Sequence, residues 1–137
     1  MKRSILAFMV GLAVWVLVVS ILNRGLRLAI QGYAAAEPQM TFSLGMMAAR
    51  LGLGALASLS AGAAARSVAP SNRAVSWVLG AVLLGAFIPV HIQLWAKFPL
   101  WYHLVFLGSL VPLVLLGATV AARNRSRSEP SVRATSA

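Results

Sequence analysis

Five polar residues stand out against the apolar runs of this chain: Glu37, Arg50, His91, Gln93 and His103. Arg50 is the most informative. An arginine near the centre of a bilayer costs about 2.5–3.5 kcal/mol on insertion scales, so its place in an apolar run calls for an offset. One offset is snorkelling, because helical side chains lean toward the N-terminus and a long stem can carry its charge to the nearer surface. The other is contact with an anionic group. Gly54, Ala57 and Ala61 share the helical face of Arg50, and small residues there mark close helix packing. Glu37, the one acidic residue ahead of the C-terminal tail, is the natural partner for Arg50, Arg24 or Arg27. His91 and His103 flank a short link that contains Pro99. Two histidines on neighbouring helices can hold a metal or the axial positions of a haem. No carboxylate lies near them in sequence to orient their rings. A tight turn over 96–101 would set Gln93 level with His103 and His91 about one turn deeper. The five residues form a candidate ligand-binding set at one membrane face. No catalytic residue, dedicated metal site or cofactor is expected.

What the chain lacks narrows the chemistry further. It has no cysteine, which removes disulfides, thiolate metal sites and dithiol redox chemistry, and with them a quinone-reducing thiol oxidase. No Asp or Glu falls within an apolar run, which argues against a small multidrug exporter that exchanges protons through an intramembrane carboxylate. No Ser-His-Asp set, phosphate-binding loop or metal motif is present.

The elements that must position these residues are membrane helices. Of the 137 residues, 60% are hydrophobic and 10% charged, where a soluble domain carries about a quarter charged. The mean hydropathy of +0.85 agrees. Strict alternation over short segments, which a barrel needs, is absent. Spanning helices need about 20 apolar residues, and four stretches qualify, at about 5–22, 41–65, 77–95 and 102–122. Lys2 and Arg3 ahead of the first suggest a signal peptide, but the apolar core is longer than a signal core of roughly 7–15 residues, so an uncleaved helix is expected. Residues 1–122 then make one all-α, membrane-spanning four-helix bundle, and 123–137 a disordered basic cytoplasmic tail. Between spans one and two, Leu26, Ile30 and Tyr33 share one face. They fit either a short interfacial helix or an extension of the first helix broken at Gly32. Pro89 and Pro112 lie inside spans three and four and predict kinks. Gly54, Ser58 and Gly62 recur every fourth residue, as do Ala57, Ala61 and Ala65, which makes ridges for helix contact within or between chains.

Charge sets the orientation. The net charge of +10 comes from 12 basic and 2 acidic residues. The basic residues cluster at segment ends, which indicates topology and lipid headgroups rather than nucleic acid. With the N-terminus cytoplasmic, that side holds Lys2, Arg3, Arg66, Arg73, Arg123, Arg125, Arg127 and Arg133, against Arg24, Arg27 and Lys97 outside. Both termini are therefore expected in the cytoplasm. Trp95, Trp101 and Tyr102 are expected at headgroup level around the outer turn, where amphipathic rings settle.

The segments "GYAAAEPQMTFSLGMMAARL" and "IPVHIQLWAKFPLWYHLVFLGSLVPLVLLG" resemble those of uncharacterised small bacterial inner-membrane proteins with four spans. The resemblance implies an inner-membrane location and no particular activity. The functional expectation is a non-enzymatic integral membrane protein, with the lipid bilayer as its surroundings, that packs with itself or with a membrane partner. The alternatives are a binder or carrier of a small ligand around Arg50, and haem or metal binding through His91 and His103.

Overall fold

The computed structural model describes residues 1–128. Five helices follow in order: α1 (Lys2–Ala29), α2 (Tyr33–Ala36), α3 (Leu44–Val68), α4 (Ala74–Gln93) and α5 (Leu100–Ser128). All but α2 are long and apolar enough to cross a membrane, and no strand occurs among the described residues. The chain is an all-α bundle of four long helices.

The helix ends follow local chemistry. α3 begins at Ser43, whose hydroxyl accepts the Met46 N–H at 3.3 Å, a side-chain cap of the expected kind. α1 runs past the expected end of the first span, through Asn23, Arg24 and Arg27. It stops where Ile30 turns extended and Gly32 takes φ 81°, a left-handed backbone that glycine adopts without strain. Of the two readings of this stretch, the extension broken near Gly32 is the one found, followed by the single turn of α2. α4 starts three residues before the expected span and α5 two before it. Pro89 and Pro112 stay within continuous helices. Residues 123–128, expected to be disordered, continue α5. The remainder of the expected tail lies outside the described residues.

Packing explains why α3 carries so little bulk. It lies between α1 and α5 and presents Ala57, Ala61 and Ala65, all fully buried, to a core that includes Ala7, Trp15, Leu79, Leu83 and Val114. α3 and α5 run in the same direction, and two glycines set their separation. A Cβ on Gly62 would collide with the Val114 carbonyl oxygen, and one on Gly117 with that of Leu59. Each glycine thus points a Cα–H at a carbonyl across the crossing, a weak hydrogen bond worth about 0.5–1 kcal/mol. On α1, a Cβ on Gly11 would lie 2.6 Å from Leu79 Cδ2 and 3.1 Å from the Ala61 carbonyl oxygen. The small-residue ridge of α3 is consumed inside the molecule. The outward faces carry Leu6, Leu17, Ile21, Ile92, Leu104 and Leu116, a continuous apolar exterior that hydrocarbon rather than water would solvate.

The basic residues segregate by bundle end. Arg3 Nε donates to the Val68 carbonyl at 3.0 Å, Asn72 Nδ2 to Ser4 Oγ at 2.9 Å, and Arg125 to the Ser67 carbonyl at 3.4 Å. These contacts draw the N-terminus, the α3–α4 link and the C-terminal part of α5 together. Lys2, Arg3, Arg66, Arg73, Arg123, Arg125 and Arg127 share that end. Arg24, Arg27 and Lys97 occupy the other.

Candidate functional site

At the less basic end, α1, α2, α3 and α5 build a polar network around Arg50. The guanidinium sits six residues past the start of α3, about 9 Å along the helix at 1.5 Å per residue. Its side chain leans back toward that start, as helical geometry requires. Arg50 Nη1 donates to the Tyr33 hydroxyl at 2.9 Å, and the Tyr33 hydroxyl donates to Asn23 Oδ1 at 3.0 Å. Asn23 Nδ2 completes the chain on Glu37 Oε1 at 2.9 Å. The amide orientation of Asn23 is consistent with both neighbours, since one end must accept and the other donate. Cζ of Arg50 lies 4.6 Å from the centroid of the Phe42 ring, a cation–π contact. The Tyr102 hydroxyl faces the guanidinium from α5.

Glu37 does not pair directly with Arg50. Its carboxylate is 2.7 Å from Arg27 Nε, a charge contact out of line with the N–H bond, so Oε2 has no aligned hydrogen bond. Glu37 reaches Arg50 only through Asn23 and Tyr33. The network of Arg27, Glu37 and Arg50 carries a net positive charge. Arg50 Nε is buried without a hydrogen-bond partner. Beside it opens a cavity of about 210 Å³, lined by Trp15, Asn23, Glu37, Phe87, Tyr102 and Phe106 among others. The Trp15 indole at its wall donates to Ser58 Oγ at 3.3 Å and tilts against Phe87 at 5.1 Å. The cavity therefore offers aromatic walls with one guanidinium, from Arg50, and one carboxylate, from Glu37, a mostly apolar pocket with a few polar groups.

The two histidines form a separate pair. His91 Nδ1 and His103 Nδ1 are 2.7 Å apart, and both rings are buried, His103 to 1% exposure. One ring donates and the other accepts, so at least one is neutral. Trp95 stacks on His103 at 4.9 Å, and Phe106 on His91 at 4.7 Å. The separation matches a hydrogen bond. Two nitrogens on a tetrahedral metal at about 2.0–2.1 Å stand roughly 3.3 Å apart, and an axial pair stands about 4 Å apart. The pair is closed on itself, and among the described residues no group of three His, Asp or Glu gathers around it.

Two expectations are corrected here. Gln93 is exposed and joins neither cluster. The link between α4 and α5 runs from Leu94 to Pro99, and this register sets His91 rather than Gln93 beside His103. Tyr102, expected among headgroups, is 4% exposed and stacks on Phe98 at 4.7 Å. Trp95 and Trp101 do face outward. Sequence reasoning missed Tyr33 and Asn23, the two residues that join Arg50 to Glu37.

No family model, curated protein or solved structure matches this chain.

Proposed function

We propose that this chain is a non-enzymatic inner-membrane protein of bacteria, with both termini in the cytoplasm, that binds a small anionic ligand in the cavity beside Arg50. The observation that carries the reading is Arg50, a partly buried arginine that lines an aromatic cavity and whose Nε has no hydrogen-bond partner. A buried polar group without a partner costs roughly 1–3 kcal/mol, and more when it is charged. A ligand carboxylate paired with the Arg50 guanidinium, on the side of the cavity away from Glu37, would offset that cost. The cavity size suits a compact aromatic or aliphatic monocarboxylate. In detergent, benzoate and phenylacetate are expected to raise the Tm of the wild-type protein and to leave that of Arg50→Leu unchanged. Equal shifts in the two proteins, or none in either, would remove the ligand reading.

Segregation of the basic residues supports the orientation, because positive charge is retained on the cytoplasmic side. A fluorescent reporter fused after Ala137 that folds only in the cytoplasm is expected to be bright. A reporter active only in the periplasm, fused at the same point, would invert the topology if it gave the signal instead.

A second reading has its own observation. Gly45, Ala48 and Gly52 lie along the outer surface of α3, and no atom stands within 4 Å of a Cβ built on Gly45 or Gly52. Small residues exposed in this way let another helix approach closely, either from a second copy or from a membrane partner. A native mass spectrum of the gently solubilised protein separates the readings: bound small molecule at monomer mass favours the first, and dimer or hetero-complex mass the second.

A further inference from the structure

The basic end of the bundle holds a larger cleft that the Arg50 site does not use. About 640 Å³ opens between the end of α3, the start of α4 and the second half of α5. Three arginines line it: Arg66 of α3, Arg73 just ahead of α4, and Arg123 of α5. Ser76 also lines it, and it is 2% exposed with its hydroxyl unpartnered. This departs from the habit of the chain. Ser20, Ser58, Ser67 and Ser126 each return their hydroxyl to a carbonyl four residues back. Arg66 Nη1 is likewise buried without a partner. α4, twenty residues long, begins at this cleft, with Asn72 Oδ1 accepting the Ala74 N–H at 3.1 Å, and the positive end of its dipole faces the same space. Among the described residues no carboxylate lines the cleft; the only described one, Glu37, belongs to the opposite end.

We propose that this cleft binds the phosphate of an anionic phospholipid headgroup. Three guanidinium groups and an unpartnered hydroxyl are donors of the kind a phosphate accepts from, and the positive end of the α4 dipole adds to their field. Lipid is favoured over free phosphate by the surroundings. Trp77, 59% exposed, stands at the rim, a position indole prefers at the membrane interface. Leu115 and Ala118 continue the cleft wall along α5, where an acyl chain would lie. The lipid assignment rests on the bundle spanning a bilayer, which recovery of the chain in the membrane fraction, released only by detergent, tests independently.

The test uses the full chain in detergent, titrated with dioleoylphosphatidylglycerol, dioleoylphosphatidylcholine or inorganic phosphate, with retained lipid read by native mass spectrometry and stability by Tm. Arg73 and Arg123 are exposed, so Arg73→Gln/Arg123→Gln removes two cleft charges without disturbing the core. Lys2→Gln/Arg127→Gln removes the same charge from the same end but outside the cleft. Phosphatidylglycerol is expected to be retained and to raise Tm in the wild type and in the Lys2/Arg127 variant, and to bind the cleft variant about tenfold or more weakly. Equal loss in both variants would show a diffuse charge effect and overturn the site. So would retention unchanged in the cleft variant, or no preference over phosphatidylcholine. Displacement of the lipid by inorganic phosphate at comparable concentration would keep the anion site and overturn its assignment to lipid.

Discussion

Gly62→Ala is expected to destabilise the bundle by about 3 kcal/mol or more, while Gly52→Ala on the same helix stabilises it. The intrinsic preference is the same at both positions: alanine favours a helix interior over glycine by roughly 0.5–1 kcal/mol. The surroundings differ. A methyl group on Gly52 meets open space, whereas on Gly62 it meets the Val114 carbonyl oxygen of α5. A rotamer change cannot relieve a collision with backbone, so α3 and α5 must separate along their contact. That separation loosens the Ala57, Ala61 and Ala65 packing and the Cα–H contacts of both glycines. Overpacking of a well-fitted core usually costs about 1–3 kcal/mol; an immovable partner sets this case at the upper end. Gly117→Ala should behave like Gly62→Ala, because its methyl meets the Leu59 carbonyl in the same way. Unfolding by denaturing detergent, followed by circular dichroism, ranks the variants. Equal stabilities for Gly62→Ala and Gly52→Ala would mean that α3 and α5 do not cross there.

Much of this fold is legible in composition alone. Four apolar stretches of spanning length, separated by Pro, Gly, Ser and Arg, leave little alternative to four long helices. The burial of Gly54, Ala57 and Ala61 on the Arg50 side of α3 follows from helical spacing, since a charge and small residues both belong on a protein-facing side. The lengths were less legible. α1 carries Arg24 and Arg27 on about two extra turns that hydropathy reads as a loop, because polar side chains do not stop a helix; the backbone break at Ile30 and Gly32 does.

The site was half legible for a related reason. Arg50 and Glu37 are conspicuous as rare charges, but what joins them is neutral. Tyr33 was read as one member of an apolar face with Leu26 and Ile30, and that reading treats its ring and ignores its hydroxyl. Asn23 lies just past an apolar run, where polar residues are ordinary. The signal that was available is the need itself: a buried guanidinium requires acceptors, and Tyr33 and Asn23 are among the polar residues of the preceding segment able to offer one. Gln93 was misplaced by register. Counting outward from a tight turn assumes both helices end at the turn, yet α4 stops at Gln93 and Leu94 to Pro99 forms a wider link. A shift of two residues on a helix rotates a side chain by roughly 200°, which carries Gln93 to the outer surface and brings His91 in.

The hydroxyl of Tyr33 should prove the most costly single oxygen in the network, and Tyr33→Phe tests it with almost no change of shape. The residue is fully buried. Its oxygen accepts from Arg50 and donates to Asn23, so removal strands a cationic N–H and an amide carbonyl oxygen together. Each stranded buried group costs about 1–3 kcal/mol, with the charged one at the upper end, and the expected loss is about 3 kcal/mol. Arg50 keeps Phe42 and Tyr102 as neighbours, which offsets part of its share. Pairing with Arg50→Leu separates this mechanism from lost packing. Leucine asks for no acceptor, so in the Arg50→Leu background the Tyr33→Phe step should cost less by about 1–2 kcal/mol, within the range of coupling energies for residues in contact. Additive losses would mean that the hydroxyl serves Asn23 alone and that Arg50 is held by its aromatic neighbours. That result would leave the guanidinium less tightly anchored than the geometry implies, and it would weaken the case that Nε is fixed in place for a ligand.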